Sequence, residues 1–265
     1  MSEVAAGTID TRMHGRVQIL VMNRPERENR VTQTMAEQAA RLLEAARVDR
    51  SISGCVLTGQ GDVFCKGGDF LSAGATSDGR LGFARAFADM ERAICRLGKP
   101  LVAAINGDAH AGGFSLVAAC DLAVANHSAT LGLPEIAHGL FPFLALAIVK
   151  DSLPKKVLFD LIYRARLLSA GEARELHLVN EIVPADEVLP RAIELAGCTA
   201  ACNPDIISLG RDLYYSTRCA EPGQAVEPQV YAELLRSYDE GVAEFLDLER
   251  VKPNTLGNTR MLLTL

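Results

Sequence analysis

A glycine-rich turn after a short apolar run is the part of this sequence best suited to chemistry. The apolar run Leu101–Ile105 breaks at Asn106-Gly107, and the loop that follows ends in Gly112-Gly113 before a small-residue run of helical length. This pattern predicts a buried strand that leads through a turn to the N-terminus of a helix. The first amides of a helix have no acceptor within it and lie at the positive end of its dipole. No side chain in the turn is an obvious nucleophile, so we expect its amides to stabilise an anion or a developing oxyanion.

The elements that must position this turn alternate between strands and helices. Residues 8–13 and 16–22 predict a hairpin, Thr32 predicts the cap of a helix ending near Val48, and residues 83–97 predict an amphipathic helix. The remaining expectations are strands at 54–58, 63–65, 122–125, 129–131 and 180–183, and helices at 143–152, 155–163, 169–177, 188–201, 204–217, 228–240 and 241–249. This order predicts an α/β core over residues 1–190 and a helical oligomerisation region over residues 191–265.

The composition is that of a globular protein without a nucleic-acid or membrane signature. The 265 residues are 49% apolar and 23% charged, with a net charge of -6 and no basic cluster, which argues against nucleic acid as a partner. No apolar run reaches the roughly 18 residues of a membrane span, and the first residues do not resemble a signal peptide. Seven cysteines without a C-x-x-C pair favour reduced thiols. We therefore expect a cytoplasmic protein.

Five segments, in order, resemble motifs of the enoyl-CoA hydratase/isomerase (crotonase) superfamily. They are Asn23-Arg-Pro-Glu-Arg-Glu-Asn29 for N-R-P-x-x-x-N, Phe64-Cys-Lys-Gly-Gly-Asp69 for F-x-A-G-x-D, Asn106-Gly-Asp-Ala-His-Ala-Gly-Gly-Phe-Ser115 for N-G-x-A-x-G-G-G-x-E, Leu131-Gly-Leu-Pro-Glu135 with Gly139-Leu-Phe-Pro142 for F-G-x-P-E-x-x-x-G-x-x-P, and Leu168-Ser-Ala-Gly-Glu-Ala with Leu178-Val-Asn-Glu-Ile-Val-Pro184 for L-S-A-x-E-A…G-L-V-x-x-V-V-P. Each motif alone is weak, but five in register across roughly residues 10–252 are specific.

The resemblance implies a fold, an assembly and a class of substrate. The expected fold is a superhelical core of ββα turns with two roughly perpendicular sheets, followed by helices that build a homotrimer or a dimer of trimers. The expected substrates are acyl-CoA thioesters, with coenzyme A as part of the substrate and with no metal or redox cofactor.

The resemblance also implies roles for particular residues. The amides of Gly68 and Gly112 would form an oxyanion hole for the thioester oxygen, and Glu135 would be the acid/base. Hydratases of the family carry a second glutamate, but here its position holds Ser115. A serine is not a base near neutral pH without a partner, so Ser115 is either a participant or simply a small helix residue.

The predicted substrate-binding residues surround these positions. Arg27 and Lys66 are placed to meet the phosphates or adenine of CoA, although exposed basic residues in loops are often only solvated surface. His110 could contact a polar acyl group or assist water, or could be structural. Asp69, Phe70 and Pro134, which adjoin the predicted oxyanion and acid/base positions, complete the set.

Several reactions remain compatible with this sequence. A single carboxylate favours shifting the double bond of an enoyl-CoA, whereas the breadth of the family keeps hydration of a 2-enoyl-CoA equally open. The alternatives are decarboxylation, thioester hydrolysis or C–C cleavage on the same scaffold, or a CoA-binding protein without activity because Ser115 replaces the glutamate.

Overall fold

A computed structural model describes residues 7–69 and 77–218 of the chain, whose strands form two sheets. The strands are β1 (Thr8–His14), β2 (Val17–Asn23), β3 (Gly54–Gly59), β4 (Val63–Cys65), β5 (Leu101–Ile105), β6 (Asp108–His110), β7 (Leu122–Asn126), β8 (Thr130–Gly132), β9 (Leu167–Ser169) and β10 (Glu181–Val183). The larger sheet has the order β1-β2-β3-β5-β7-β10 and is parallel apart from the β1–β2 hairpin. The hairpin and the strand Leu101–Ile105 confirm the predictions made for these segments.

The smaller sheet has the order β4-β6-β8-β9, and its first three strands are parallel. Two of its strands were not predicted: residues 108–110 were expected to be part of a loop, and no strand was expected at residues 167–169. Both are only three residues long. A segment this short carries no measurable alternation, so its strand conformation depends on pairing with neighbours that are distant in sequence.

Eight α-helices occur among the described residues. They are α1 (Gln33–Val48), α2 (Ser77–Arg96), α3 (Gly112–Ala119), α4 (Phe143–Val149), α5 (Lys155–Arg164), α6 (Ala170–Glu175), α7 (Val188–Gly197) and α8 (Pro204–Arg218), with short 3-10 helices at Pro25–Arg27 and Pro134–His138. The hydroxyl of Thr32 accepts a hydrogen bond from the Met35 amide, which confirms the predicted cap of α1. Helix α2 begins six residues before its predicted start at residue 83.

The larger sheet is covered on both faces, which explains why its central strands are apolar without alternation. One face packs in the main core with α1, α2 and α3. The other face presents Val56, Val102 and Val124 to the buried side chains of α7, among them Ala192 and Ala196. Within residues 7–69 and 77–218, every helix is too short or too polar to cross a bilayer.

The chain divides into two compact units, Met1–Pro204 and Asp205–Leu265. The boundary predicted at residue 190 falls inside α7, which contacts the larger sheet. The oligomerisation role expected for residues 191–265 stays a prediction. The helices expected at 228–240 and 241–249 lie outside the described residues.

A glycine in β3 sets how closely α7 approaches the sheet. A Cβ on Gly54 would lie 2.0 Å from the carbonyl oxygen of Ala196, so an added methyl group must push the helix away. We expect Gly54→Ala to lower the free energy of unfolding by about 1–3 kcal/mol, the usual cost of overpacking. Urea unfolding followed by circular dichroism measures the change.

The control is Gly171→Ala in α6, where an added Cβ would meet only the Ser169 hydroxyl at 3.8 Å. Alanine at an uncrowded helix position is favoured over glycine by about 0.5–1 kcal/mol. Equal unfolding midpoints for the two variants would contradict the packing of α7 described above.

Candidate functional site

The predicted oxyanion and acid/base residues follow three neighbouring parallel strands of the smaller sheet. Gly68 comes shortly after β4, Gly112 shortly after β6, and Glu135 shortly after β8. The carboxyl ends of parallel strands lie at the same edge of a sheet, which is where α/β proteins commonly bind ligands. In addition, the Ala111 amide donates to the carbonyl of Gly132 at 2.8 Å, which joins the segments after β6 and β8. The sheet therefore brings the three segments to one edge.

The two glycine turns at this edge are in contact. A Cβ on Gly67, whose φ is +96°, would lie 2.8 Å from the Ala111 Cβ and 3.1 Å from the Gly112 nitrogen. Among the described residues, the amides of Gly68 and Gly112 have no hydrogen-bond acceptor. Because buried or half-buried amides normally find an acceptor, these two are available to a ligand oxygen.

The backbone in front of Gly112 is strained. Ala111 has a φ of 54° and a ψ of -125°, a region that a residue with a Cβ seldom adopts. Such a conformation costs about 1–3 kcal/mol and persists only where neighbouring contacts enforce it. Here the Ala111 carbonyl accepts from the amides of Phe114 and Ser115 at 3.0 and 3.2 Å. The strained turn leaves the Gly112 amide outside this hydrogen-bond pattern.

The Gly67-Gly68 turn is held by the segment before α1. The Val31 amide donates to the Gly67 carbonyl, and the Asp69 amide donates to the Val31 carbonyl, both at 2.8 Å. The Asp69 carboxylate also pairs with the buried guanidinium of Arg24 at 2.7 Å. The structure therefore gives Asp69 an anchoring contact, and its predicted contact with substrate stays a prediction.

Two asparagines of the motifs fix strand β4 immediately before that turn. The side-chain amides of Asn29 and Asn106 both donate to the Val63 carbonyl, at 2.7 and 3.3 Å. Asn29, which has a φ of 52°, also accepts from the Arg24 amide at 3.0 Å. These side chains satisfy backbone groups of the loop between β3 and β4, so they position the site without facing it.

Glu135 is a half-buried acid with one unpartnered carboxylate oxygen. It lies in the first turn of the 3-10 helix Pro134–His138, and its Oε2 atom is buried with no hydrogen-bond partner among the described residues. Burial raises the pKa of Glu135, and its own backbone amide only partly opposes this shift. A buried carboxylate oxygen without a hydrogen-bond partner is unfavourable, and such groups are often found where a substrate binds.

Helix α2 lies over both glycine turns. A Cβ on Gly68 would come within 2.4 Å of the Phe83 ring, and one on Gly112 within 2.9 Å of the Phe87 ring. Four residues further along the same face, Glu91 reaches Ser115. Both positions require glycine because the aromatic rings already occupy the space of a side chain.

Ser115 and Glu91 form a buried pair. Their side-chain oxygens are 2.9 Å apart, and the Ser115 Oγ lies 2.8 Å from the Gly112 carbonyl oxygen. The Ser115 hydroxyl donates to the Glu91 carboxyl and also lies within hydrogen-bond distance of the Gly112 carbonyl; if Glu91 is protonated, it can instead donate to Oγ. Burial raises the pKa of Glu91 to about 7, and the hydrogen bond that Ser115 donates opposes this rise by a smaller amount.

Sequence reasoning did not single out Glu91, although a signal was available. The glutamate lies on the apolar stripe of the predicted helix, in step with Phe83, Phe87 and Ile94, and it is only 5% exposed. A carboxyl on the buried stripe of an amphipathic helix requires a polar partner. The sequence contains no indication that the partner is Ser115.

The basic residues predicted to bind CoA differ in their surroundings. Lys66 pairs with the carboxylates of Glu28 at 2.8 Å and Asp108 at 3.4 Å, and the hydrogen bond to Glu28 raises the pKa of Lys66. Arg30 donates to the Lys66 carbonyl at 3.0 Å. Arg27 is exposed and makes no ion pair with any residue that the structure describes. Arg27 is therefore the more available cation.

The other predicted binding residues have mixed outcomes. The His110 Nε2 lies 2.8 Å from the Thr130 hydroxyl, which itself donates to Asp108 at 2.7 Å, so Nε2 carries the hydrogen of that contact. Burial lowers the pKa of His110 and favours the neutral ring. Pro134 is half-buried at the start of its 3-10 helix. Phe70 lies outside the described residues.

No cluster of three or more histidine, cysteine, aspartate or glutamate side chains in the described ranges could hold a metal ion.

Comparison with known proteins places the chain in a family. Residues 12–254 match the model for enoyl-CoA hydratase/isomerase. The chain belongs to the enoyl-CoA hydratase/isomerase family.

Individual members of the enoyl-CoA hydratase/isomerase family cover almost the whole chain. It is 30% identical to a mevalonyl-coenzyme A hydratase of Aspergillus fumigatus, over 89% of each chain. It is 31% identical to an enoyl-CoA hydratase of Mycobacterium tuberculosis, over 91% of this chain and 93% of that protein. The crystal structure of an enoyl-CoA hydratase from Mycobacterium smegmatis superposes with a TM-score of 0.80 at 26% identity, covering 90% and 96% of the two chains. The predicted crotonase-like α/β fold is confirmed.

The buried Glu91 carboxyl makes the stability of this family member depend on pH. A folded-state pKa of about 7 against 4.5 in the unfolded chain corresponds to about 3 kcal/mol. Because the folded pKa is raised, this stability is fully present below pH 4.5 and is lost as pH rises through about 7. We expect Glu91→Gln to reduce the loss of stability between pH 5 and pH 8, measured by urea unfolding at both values.

The control is Glu44→Gln, which removes an exposed carboxyl of α1. It should keep the pH dependence of the wild type. A Glu91→Gln variant that loses as much stability as the wild type over this interval would show that Glu91 is already ionised at pH 5.

Proposed function

We propose that this protein stabilises the enolate of an acyl-CoA thioester and thereby adds water to a 2-enoyl-CoA or shifts its double bond. The observation that carries the proposal is a pair of adjacent glycine amides without acceptors among the described residues, at the same sheet edge as the unpartnered Oε2 atom of Glu135. The family match supports the thioester as the substrate class. Coenzyme A is part of the substrate, and the proposed chemistry uses no metal or redox cofactor.

The amides of Gly68 and Gly112 would donate to the thioester oxygen. Negative charge grows on this oxygen when the α-carbon becomes an enolate, so donors already in place stabilise the transition state more than the ground state. Each such donor contributes about 3–4 kcal/mol. The strain at Ala111 and the close packing of α2 support a fixed pair of donors, because neither turn can relax toward another acceptor.

Glu135 would move the proton. Burial raises its pKa, which makes its ionised form a stronger base than an exposed glutamate. It could take a proton from one carbon and return it to another, or activate the water that adds to the β-carbon. The A. fumigatus and M. tuberculosis relatives are both named as hydratases of CoA thioesters, which supports water addition.

Replacing the proposed acid/base tests this function directly. We expect Glu135→Gln to lower kcat by about 10²–10⁴-fold on whichever of crotonyl-CoA and a 3-enoyl-CoA the wild type converts. Mass spectrometry of the products distinguishes the reactions, because hydration adds the mass of water whereas isomerisation leaves the mass unchanged. Glu175→Gln, which removes an exposed carboxyl of α6, should leave kcat unchanged.

Other outcomes would contradict the proposal. Full activity of Glu135→Gln would remove Glu135 from the mechanism. Turnover of malonyl-type or β-keto thioesters without turnover of enoyl-CoA would favour a decarboxylase, hydrolase or C–C lyase. Binding of CoA thioesters without turnover of any would favour a member of the family without activity.

Arg27 is the proposed contact to the CoA phosphates, since it is exposed and makes no ion pair among the described residues. We expect Arg27→Ala to raise KM for CoA thioesters about threefold to tenfold, for a loss of about 1 kcal/mol, with little change in kcat. The KM for the matching N-acetylcysteamine thioester, which lacks the phosphates, should not change. Arg12→Ala, which removes an exposed arginine of β1, serves as the control. Equal effects on both thioesters would exclude the phosphate contact.

We also propose assembly as a homotrimer or a dimer of trimers, as the resemblance implies. Light scattering of the full chain in solution would measure the mass of the assembly, and a monomer would contradict this proposal.

A further inference from the structure

We propose that Glu91, which reaches the site from helix α2 through the hydroxyl of Ser115, supplies the second proton of the reaction. This inference rests on the proposed function and specifies it, because a second proton source favours water addition over movement of the double bond. Glu91 acts through Ser115, so it is a positioning residue for the proton, and Ser115 is the group that would face the substrate.

A single group, the Ser115 hydroxyl, connects the Gly112 turn to Glu91. Ser115 lies in the first turn of α3, on the same face as Gly112, and its Oγ is 2.8 Å from the Gly112 carbonyl oxygen. A thioester oxygen held by the Gly112 amide places the α-carbon beside this turn. The Glu91 carboxyl is 2.9 Å from Oγ, and it has no other hydrogen-bond partner among residues 7–69 and 77–218.

Water has little access to this pair. Ser115 is 0% exposed and Glu91 is 5% exposed, so a proton on Glu91 has the Ser115 hydroxyl as its route within the described structure. When Glu91 is protonated, it can donate to Oγ, which leaves the hydroxyl hydrogen of Ser115 for the Gly112 carbonyl. In that state the Ser115 hydroxyl lies between the protonated carboxyl and the Gly112 turn.

Glu91 and Glu135 have different surroundings and can hold opposite charge states. Burial raises the pKa of Glu91 to about 7, so Glu91 retains a proton up to near neutral pH, and burial also raises the pKa of Glu135, the proposed base. Two acidic groups whose pKa values are pushed apart in one site are the usual arrangement for a general acid and a general base.

Charged neighbours do not set the protonation of Glu91. Helix α3 carries no charged residue, and the Glu91 pKa depends on burial and on Ser115 alone. The charged residues of α1, which packs on α2, contribute no shift; they are Glu37, Arg41, Glu44 and Arg47. On α2 itself, Arg92 pairs with Asp89 and both are exposed.

Addition of water to a 2-enoyl-CoA can be written in full with Glu135 and Glu91 as the two proton-transfer groups. The oxygen of water bonds to the β-carbon, and the proton it loses passes to the Glu135 carboxylate. The electron pair of the C=C bond moves to the thioester oxygen held by the two amides. The enolate then takes a proton at its α-carbon from the Ser115 hydroxyl, which regains one from Glu91. Glu91 becomes a carboxylate. After the product leaves, Glu135 loses its proton to water in the vacated site, and that water returns a proton to Glu91 through the Ser115 hydroxyl, so one water is added.

The decisive variant is Glu91→Gln, because glutamine keeps a donor for the Ser115 hydroxyl but has no proton to transfer. We expect kcat for hydration of crotonyl-CoA to fall about 10²–10⁴-fold while KM changes by less than about twofold. The wild-type kcat should fall as pH rises above about 7, and this limb should be absent from the residual activity of the variant. Asp89→Asn, an exposed change on the same helix, should preserve both kcat and its pH profile.

Two further variants separate proton transfer from a structural role. Ser115→Ala keeps Glu91 but removes the relay, so kcat should again fall without a matching change in KM. The double variant Glu91→Ala with Ser115→Glu moves the carboxyl from α2 to α3, and it should recover at least about tenfold of the kcat lost in Glu91→Ala.

The outcomes distinguish this inference from the proposed function. If Glu91→Gln or Ser115→Ala keeps the kcat and pH profile of the wild type while Glu135→Gln is inactive, the proton route is wrong and the proposed function stands. A folded double variant without recovery also counts against the route. If the wild type converts no thioester, the proposed function fails and the proton route fails with it.

Discussion

The smaller sheet is the constraint on which the rest of the structure depends. Strands β4, β6 and β8 are each three residues long, yet their parallel pairing brings Gly68, Gly112 and Glu135 to one edge. So few backbone hydrogen bonds cannot define this arrangement alone. The side-chain amides of Asn29 and Asn106 hold β4 through the Val63 carbonyl. Polar side chains that satisfy backbone groups therefore help to position the site.

Helix α2 completes the site by covering it. Phe83 and Phe87 fill the space above Gly68 and Gly112, so a side chain at either glycine would displace a ring. These rings restrict the space around the two turns, and donors shielded from water interact more strongly with a developing charge than donors in water. The same cover buries Glu91 beside Ser115, and desolvation is what raises its pKa. The packing of α2 therefore restricts the glycine turns and also raises the pKa of Glu91.

The surface near the loop before α1 carries partly exposed ion pairs. Lys66, Glu28 and Asp108 form exposed or half-buried ion pairs, which contribute little to stability because water screens them. Because these carboxylates pair with Lys66, they affect which basic side chains are available to bind an anionic ligand. By contrast, the ion pair between buried Arg24 and partly buried Asp69 is screened less and ties the Gly67-Gly68 turn to the segment that precedes α1.

The sequence by itself determined the α/β class, the β1–β2 hairpin, the Thr32 cap of α1 and the segments that carry Gly68, Gly112 and Glu135. Each depends on residues that are close together in the chain: a turn, a cap, a periodic apolar face or a short motif. Only the tertiary structure decided that residues 108–110 form a strand, that Ala111 is strained, and that Glu91 meets Ser115 across 24 residues of sequence. These features arise from pairing and burial between distant segments, because a three-residue strand or a lone carboxyl has no local pattern that identifies its partner.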